Sequence, residues 1–391
     1  MTRLATSFGS VSSTELVNVG NNFCLFRRDN KALALLNESA AKVLLACIDD
    51  VDTLAFKPQF GPHDADPAIG RDPSHVDTLL AQLRSEGFLD GPQPRAAAPS
   101  VPSVLRAPQN QGLCAVYRLD GGPAVRLECE DEELSGLLAA ALQPLQAARD
   151  CAPWIQIVVP GQAGSFAVWR DGVAIATGLD RANVRRICLQ ALLMAMLPSD
   201  EVAALLHAST VSIAGRAVIL AGATGSGKTT LMMALIATGA TYLADDLTPL
   251  HRNGRAVSRF PLAASVKQGS WNVLAGQFPR LQACRVHHVG DRVVRYVDPA
   301  PAEAAGNGAV PVGALVFPTF DPASRAASIA RIGPEEALSR LLETGSEVVG
   351  EHRSIKPVTA LVNETPAWSL TFPDLRAGVT AVQMQTLAGA K

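Results

Sequence analysis

Ala217-Val218-Ile219-Leu220-Ala221, Gly222-Ala223-Thr224-Gly225-Ser226-Gly227-Lys228-Thr229-Thr230 and Leu231-Met232-Met233-Ala234-Leu235-Ile236-Ala237 follow one another without a break. The first run is apolar and partly β-branched, which reads as a buried strand. The last is built of strong helix formers and stops before Gly239, which reads as a helix with a glycine end. Between them stands the pattern G-x-x-x-x-G-K-[ST]. A strand feeding a glycine loop into a helix aims backbone N–H groups and a positive helix end at a polyphosphate. In this reading Gly222 to Thr230 hold the phosphates of ATP. Lys228 reaches the β- and γ-phosphates and the Thr229 hydroxyl ligates Mg2+. A glycine-rich turn matching by chance would not come with both flanks.

Thr241-Tyr242-Leu243-Ala244 reads as a second short strand, and it ends in Asp245-Asp246. Open α/β sheets place their ligands at the C-terminal ends of strands. One carboxylate there can hold Mg2+, and the other can accept a proton from an attacking hydroxyl. A solvated Asp-Asp turn is the plainer alternative, but the distance from the glycine loop is what a nucleotide site requires.

The glycine loop, a short helix, a glycine and a strand ending Ala-Asp-Asp resemble HPr serine kinase/phosphorylase and its relatives. The ATP-dependent phosphoenolpyruvate carboxykinases are similar but more distant. The resemblance covers Ala203 to Leu250 well and the remaining C-terminal half loosely. Leu205-Leu206-His207-Ala208-Ser209 belongs to it, with His207 following an apolar run read as the end of a helix. The resemblance implies a P-loop kinase core in which Lys228 and Thr229 handle phosphates and metal. It makes Asp245 the base, Asp246 the metal ligand and His207 a phosphate-proximal partner. The glutamate-and-arginine signature of the bifunctional enzymes is missing downstream. Arg259-Phe260-Pro261-Leu262-Ala263-Ala264-Ser265-Val266-Lys267 stands in its place, and Lys267 is a candidate cation for the γ-phosphate. That departure resembles the shortened HPr-kinase-like proteins of peptide-modification pathways.

The N-terminal region reads as a small winged-helix unit. Phe23–Phe26 and Ala32–Leu36 are expected strands, and Asn37 caps a helix with Ala40, Val43, Leu44 and Cys47 on one face. A second helix starts at Ser74 with Val76, Leu79, Leu80 and Leu83 at the same spacing, and Gly87 closes it. Leu35 to Leu44 and Leu83 to Leu89 resemble the PqqD family, which binds leader segments of ribosomally made precursor peptides. A strand edge beside a helix is a groove that an extended peptide can join.

The expected organisation is α/β (α+β overall). Residues 12–90 form the PqqD-like unit, 91–112 a proline-rich linker, and 113–391 the kinase domain, with 113–204 a lead-in layer and 205–391 the nucleotide-binding core. In the lead-in layer strands are expected at Leu113–Leu119, Val125–Cys129, Ile155–Val159 and Ser165–Trp169. Asp171-Gly172 should turn a hairpin, and helices are expected at Asp131–Arg149 and Arg181–Leu197. Further on, a hairpin at Asn253-Gly254, strands at Gly313–Pro318 and Ala367–Phe372, and helices at Pro334–Thr344 and from Asp374 complete the reading.

The chain has 391 residues, 48% hydrophobic and 18% charged, with net charge −2. Such a balance, without a basic stripe, excludes nucleic acid as an expected partner. Met1–Ser7 has no apolar core of the signal-peptide kind and no run is long enough to cross a membrane, so a cytoplasmic location is expected. The seven cysteines are scattered and without CxxC spacing, as for reduced, buried thiols. Cys284 has Arg285, His287 and His288 beside it, neighbours of the kind that lower a thiol pKa. Together the two halves imply a serine kinase that phosphorylates a precursor peptide, as in lasso-peptide maturation, with tethering raising the acceptor's local concentration. A kinase acting on a carrier protein, and a non-catalytic, nucleotide-gated peptide-delivery module, are the alternatives. A homo-oligomer is compatible with either.

Overall fold

The computed structural model describes residues 14–28, 31–37, 113–119, 121–148, 155–159, 161–162, 165–197, 201–299, 308–349 and 353–388, with single positions between 40 and 88. Within them the architecture is mixed α/β.

At the N-terminus β1 (Thr14–Val19), β2 (Asn22–Arg27) and β3 (Leu33–Leu36) form an antiparallel meander. The sequence predicts β2 and β3 but not β1, because Glu15 interrupts its apolar pattern while being only 1% exposed. The carboxylate is buried because three donors meet it. It accepts from Ile355 N at 2.9 Å, Ser354 Oγ at 3.1 Å and Arg28 Nη2 at 2.6 Å. One face of the meander (Leu16, Phe23, Leu25, Leu36) packs on Ala41, Leu44, Leu83 and Phe88. The other face (Val17, Val19, Cys24, Phe26) joins a core containing Leu338, Leu341, Val358 and Val362. The small sheet is therefore built into the C-terminal half rather than carried beside it. Asn37 Oδ1 accepts from Ala40 N at 2.8 Å, the expected cap. The body of both expected N-terminal helices and the 91–112 linker lie outside the described residues.

The lead-in layer is a second sheet of β4 (Leu113–Tyr117), β5 (Val125–Cys129), β6 (Ile155–Val159), β7 (Gly161–Gln162), β8 (Ser165–Arg170) and β9 (Val173–Leu179). Two helices cover it, α1 (Glu132–Leu142) and α2 (Arg181–Met196). Aspartates cap both: Asp131 accepts from Leu134 N at 2.7 Å and Asp180 from Asn183 N at 2.8 Å. α1 is shorter than the sequence reading, since Pro144 turns the chain into a tight 3-10 turn at its end. Asp171 and Gly172, both at positive φ, make the expected hairpin turn.

The third layer is a ten-stranded sheet. Its strands are β10 (Val202–Leu206), β11 (Ala208–Ile213), β12 (Arg216–Ala221), β13 (Thr241–Ala244), β14 (Thr248–His251) and β15 (Ala256–Val257), then β19 (Val310–Phe320), β20 (Ser328–Ile332), β21 (Glu347–Val348) and β22 (Ala367–Phe372). β12, β19 and β22 run parallel, and β11 separates β12 from β13. β10 corrects the sequence reading: the apolar run before His207 is a strand, and its burial on both faces erased the alternation that marks one. α3 (Lys228–Ala237) and a C-terminal helix pack together on one face of this sheet. β16 (Ala264–Lys267), β17 (Val286–Val289) and β18 (Arg292–Val297) form a separate antiparallel sheet that the sequence did not announce.

Replacing Glu15 by Ala leaves the Ile355 N–H buried without an acceptor, and urea unfolding should show a loss of about 1–3 kcal/mol. An unchanged midpoint would mean that the meander does not depend on this anchor.

Candidate functional site

The glycine loop runs from the end of β12 into α3. Gly225 and Gly227 sit at φ 92° and 93°, where L side chains are strained. A Cβ on Gly227 would also lie 3.1 Å from the Phe372 ring and 3.3 Å from Phe320 Cβ, so the helix start can press against both aromatic residues only as glycine. The loop wraps round the Lys228 ammonium, which donates to Gly222 O and, at 3.1 Å, to Ala223 O. Burial lowers the Lys228 pKa, with the charges of Asp246 and Asp245 opposing the shift. Ser226 N donates back to Ala223 O at 3.1 Å, and Thr230 Oγ1 lies 2.7 Å from Ser270 Oγ.

Asp245, at the tip of β13, is 1% exposed. Its carboxylate accepts from Ser209 Oγ at 2.5 Å, from Thr229 Oγ1 at 3.2 Å and from Ser265 N at 3.2 Å. Burial, with the neighbouring Asp246 charge, pushes its pKa up from 3.8 to about 7 against those three donors. Asp246 takes a left-handed backbone, φ 67°, unusual for a residue with a side chain. The two adjacent acids consequently serve different places. Asp245 lies against Thr229, while Asp246 lines a cavity beside His207 and has Arg185 Nη2 at 4.0 Å.

His207 occupies the turn between β10 and β11, its N–H donating to Ser346 Oγ at 3.1 Å. Burial lowers its pKa below 6.5 while Asp246 pulls the other way, so the ring is neutral near pH 7. Lys267, at the end of β16, is also lowered by burial and by Arg292, with both aspartates opposing.

Two cavities meet at this point. The first, about 520 Å3, is bounded by the loop glycines and by Val273, Phe320, Phe372 and Leu375. The second, about 190 Å3, is bounded by His207, Asp246, Arg185, Arg292 and Tyr296. Lys228, Thr229, Ser265 and Lys267 line both. The glycine loop, His207, Asp245, Asp246 and Lys267, singled out in the sequence, thus lie around one junction. Sequence reasoning missed Ser265, Arg185, Arg292 and the aromatic pair Phe320 and Phe372. These come from five separate elements, and no local pattern ties them to the loop.

Among the described residues no group of three or more His, Cys, Asp or Glu side chains is placed to hold a metal. The pair Thr229 and Asp245 nonetheless suits magnesium, which takes one or two protein oxygens and completes its shell with phosphate and water. Cys284 is not an activated thiol: burial raises its pKa and its Sγ donates to Arg280 O at 3.3 Å. Comparison with known proteins finds no family model that matches this chain and no curated protein that matches it.

Asp245 makes the ligand-free protein pH-sensitive. Its folded pKa lies above its ordinary value, so the stability it confers is complete below that ordinary value and is lost as pH rises through about 7. The melting temperature of the ligand-free protein should therefore fall from about pH 4 to about pH 7 and level off above, and Asp245→Asn should flatten the fall. A profile that is the same in both proteins would contradict this.

Proposed function

We propose that this chain is an ATP-dependent kinase that transfers the γ-phosphoryl group to a hydroxyl, a serine of a peptide held by the N-terminal unit. The observation that carries the reading is the contact between Thr229 Oγ1 and the Asp245 carboxylate at the junction of the two cavities. A phosphate cradle, a metal-binding oxygen pair and an acceptor-sized space meet there and nowhere else among the described residues. The resemblance of the loop and the Ala-Asp-Asp strand end to HPr-kinase-like enzymes supports the same chemistry.

In this reading the apolar wall of Val273, Phe320, Phe372 and Leu375 receives the base and ribose. The loop amides and Lys228 receive the phosphates. Thr229 and Asp245 would hold Mg2+, whose contribution is to neutralise charge on the β- and γ-phosphates. This exchanges the roles that the resemblance implies for the two acids: Asp245 is buried on the Thr229 side, whereas Asp246 faces the second cavity. Asp246 is therefore the proposed base. It takes the proton of the acceptor hydroxyl as that oxygen bonds to the γ-phosphorus. The bond from phosphorus to the β,γ-bridging oxygen breaks, and ADP leaves with the electron pair. Lys228 and Lys267, which reach both cavities, stabilise the charge on the transferring group. Neutral His207, beside Asp246, donates a hydrogen bond without adding a competing charge.

The N-terminal meander supports peptide capture. Among the described strands β1 and β3 each pair only with β2, so each leaves an edge. The meander is anchored near the second cavity through Lys31, which bonds Glu347 at 2.7 Å, and Glu347 in turn bonds Arg186 at 2.7 Å.

Calorimetry with ATP and magnesium tests the cradle, and mass measurement of added phosphate on candidate seryl peptides tests the transfer. Lys228→Ala should weaken ATP about tenfold or more. Asp246→Asn should lower kcat about 10²–10⁴-fold while leaving ATP affinity in place. Failure of ATP to bind the wild-type protein, or full turnover by Asp246→Asn, would overturn the assignment.

A further inference from the structure

The second cavity holds more positive charge than phosphoryl transfer uses. Arg185, Arg186, Lys228, Lys267 and Arg292 line it, and Asp246 is the one acidic side chain among its described lining residues. Lys228 and Lys267 also face the first cavity and serve the phosphates. Arg186 is neutralised by Glu347 at 2.7 Å. Arg185 and Arg292 remain.

Arg185 comes from α2 of the lead-in layer, and its guanidinium lies 5.7 Å from the centre of the Tyr296 ring. Its Nε is buried without a hydrogen-bond partner, and its nearest carboxylate contact, to Asp246, is at 4.0 Å, the outer limit of an ion pair. Arg292, exposed at the start of β18, lines the same cavity and makes no ion pair among the described residues. For Arg185 the Nε donor, turned away from water and left unpaired, is costly unless a ligand completes it. Neither arginine belongs to the glycine loop or to the proposed metal pair, so neither is accounted for by the nucleotide. A space of about 190 Å3 admits little more than one residue of an acceptor.

We infer that the acceptor presents its hydroxyl within one residue of an anionic group, a carboxylate or a phosphate, and that Arg185 and Arg292 grip that group while Asp246 faces the hydroxyl. This rests on the kinase reading for the identity of the hydroxyl, but the anion site is testable separately. Planar guanidinium forks suit both oxyanions, and two of them from separate elements, α2 and β18, fix the orientation of the acceptor as well as its charge. Arg185 and Arg292 are thus specificity-determining residues of the acceptor side.

The test uses the full chain and four seryl peptides that differ only in the residue beside the serine: aspartate, phosphoserine, asparagine or lysine. Binding is measured by calorimetry on protein saturated with magnesium and a nonhydrolysable ATP analogue, and turnover by mass with Mg-ATP. The aspartate or phosphoserine peptide should bind about tenfold or more tightly than the asparagine peptide, and which of the two does so identifies the anion. Arg185→Gln and Arg292→Gln should each remove that preference without changing analogue affinity, and Arg185→Lys should keep part of it. Equal binding of all four peptides, or a preference that survives both substitutions, overturns the inference. Tight binding of the acidic peptides without phosphorylation leaves the anion site standing and removes the kinase reading. Phosphorylation indifferent to the neighbouring residue does the reverse.

Discussion

A single buried carboxylate ties the site together. Asp245 joins the tip of β13 to Ser209 on β11, to Thr229 in the first turn of α3 and to the backbone of Ser265 on β16. Without those donors, an acid that is 1% exposed could not remain in the sheet. With them, the helix after the glycine loop is held in register against a strand that is not its neighbour, since β11 stands between β12 and β13. The cost is visible in the raised pKa, and the same strain on ionisation is what a divalent cation would relieve.

Asp245 and Asp246, adjacent in the chain, meet different surroundings, and the backbone turns left-handed at Asp246. Two consecutive residues in a strand would point to opposite faces, and an extended Asp246 would follow that rule. At φ 67° it instead opens into a second cavity, where His207, Arg185 and Arg292 approach from three different elements. The lead-in layer is consequently more than a platform for the core: α2 supplies one wall of that cavity. The small β16–β18 sheet supplies another wall and, through Ser265 and Lys267, part of the junction. The N-terminal meander is fastened to the same body by Glu15 and by the chain of contacts from Lys31 through Glu347 to Arg186.

Much of this was legible beforehand where the chemistry is local. Val125–Cys129, Ile155–Val159 and Ala367–Phe372 appear with the boundaries read from their apolar runs, and the cap at Asn37 is made by the expected side chain. The failures share a cause. β1 was hidden by a buried glutamate, β10 by burial on both faces, and the β16–β18 sheet by strands half exposed and interleaved with arginine and histidine. In each case the partner that makes the residue acceptable lies far along the chain, so its own neighbourhood carries no signal.

By itself the sequence determined the glycine loop with its strand and helix, and the acid pair at the end of the next strand, because spacing and backbone freedom are properties of adjacent residues. Only the tertiary structure decided which acid faces Thr229, which faces the second cavity, and which arginines line that cavity. Those outcomes depend on long-range hydrogen bonds and on the backbone reversal at Asp246, and neither is encoded in any short stretch.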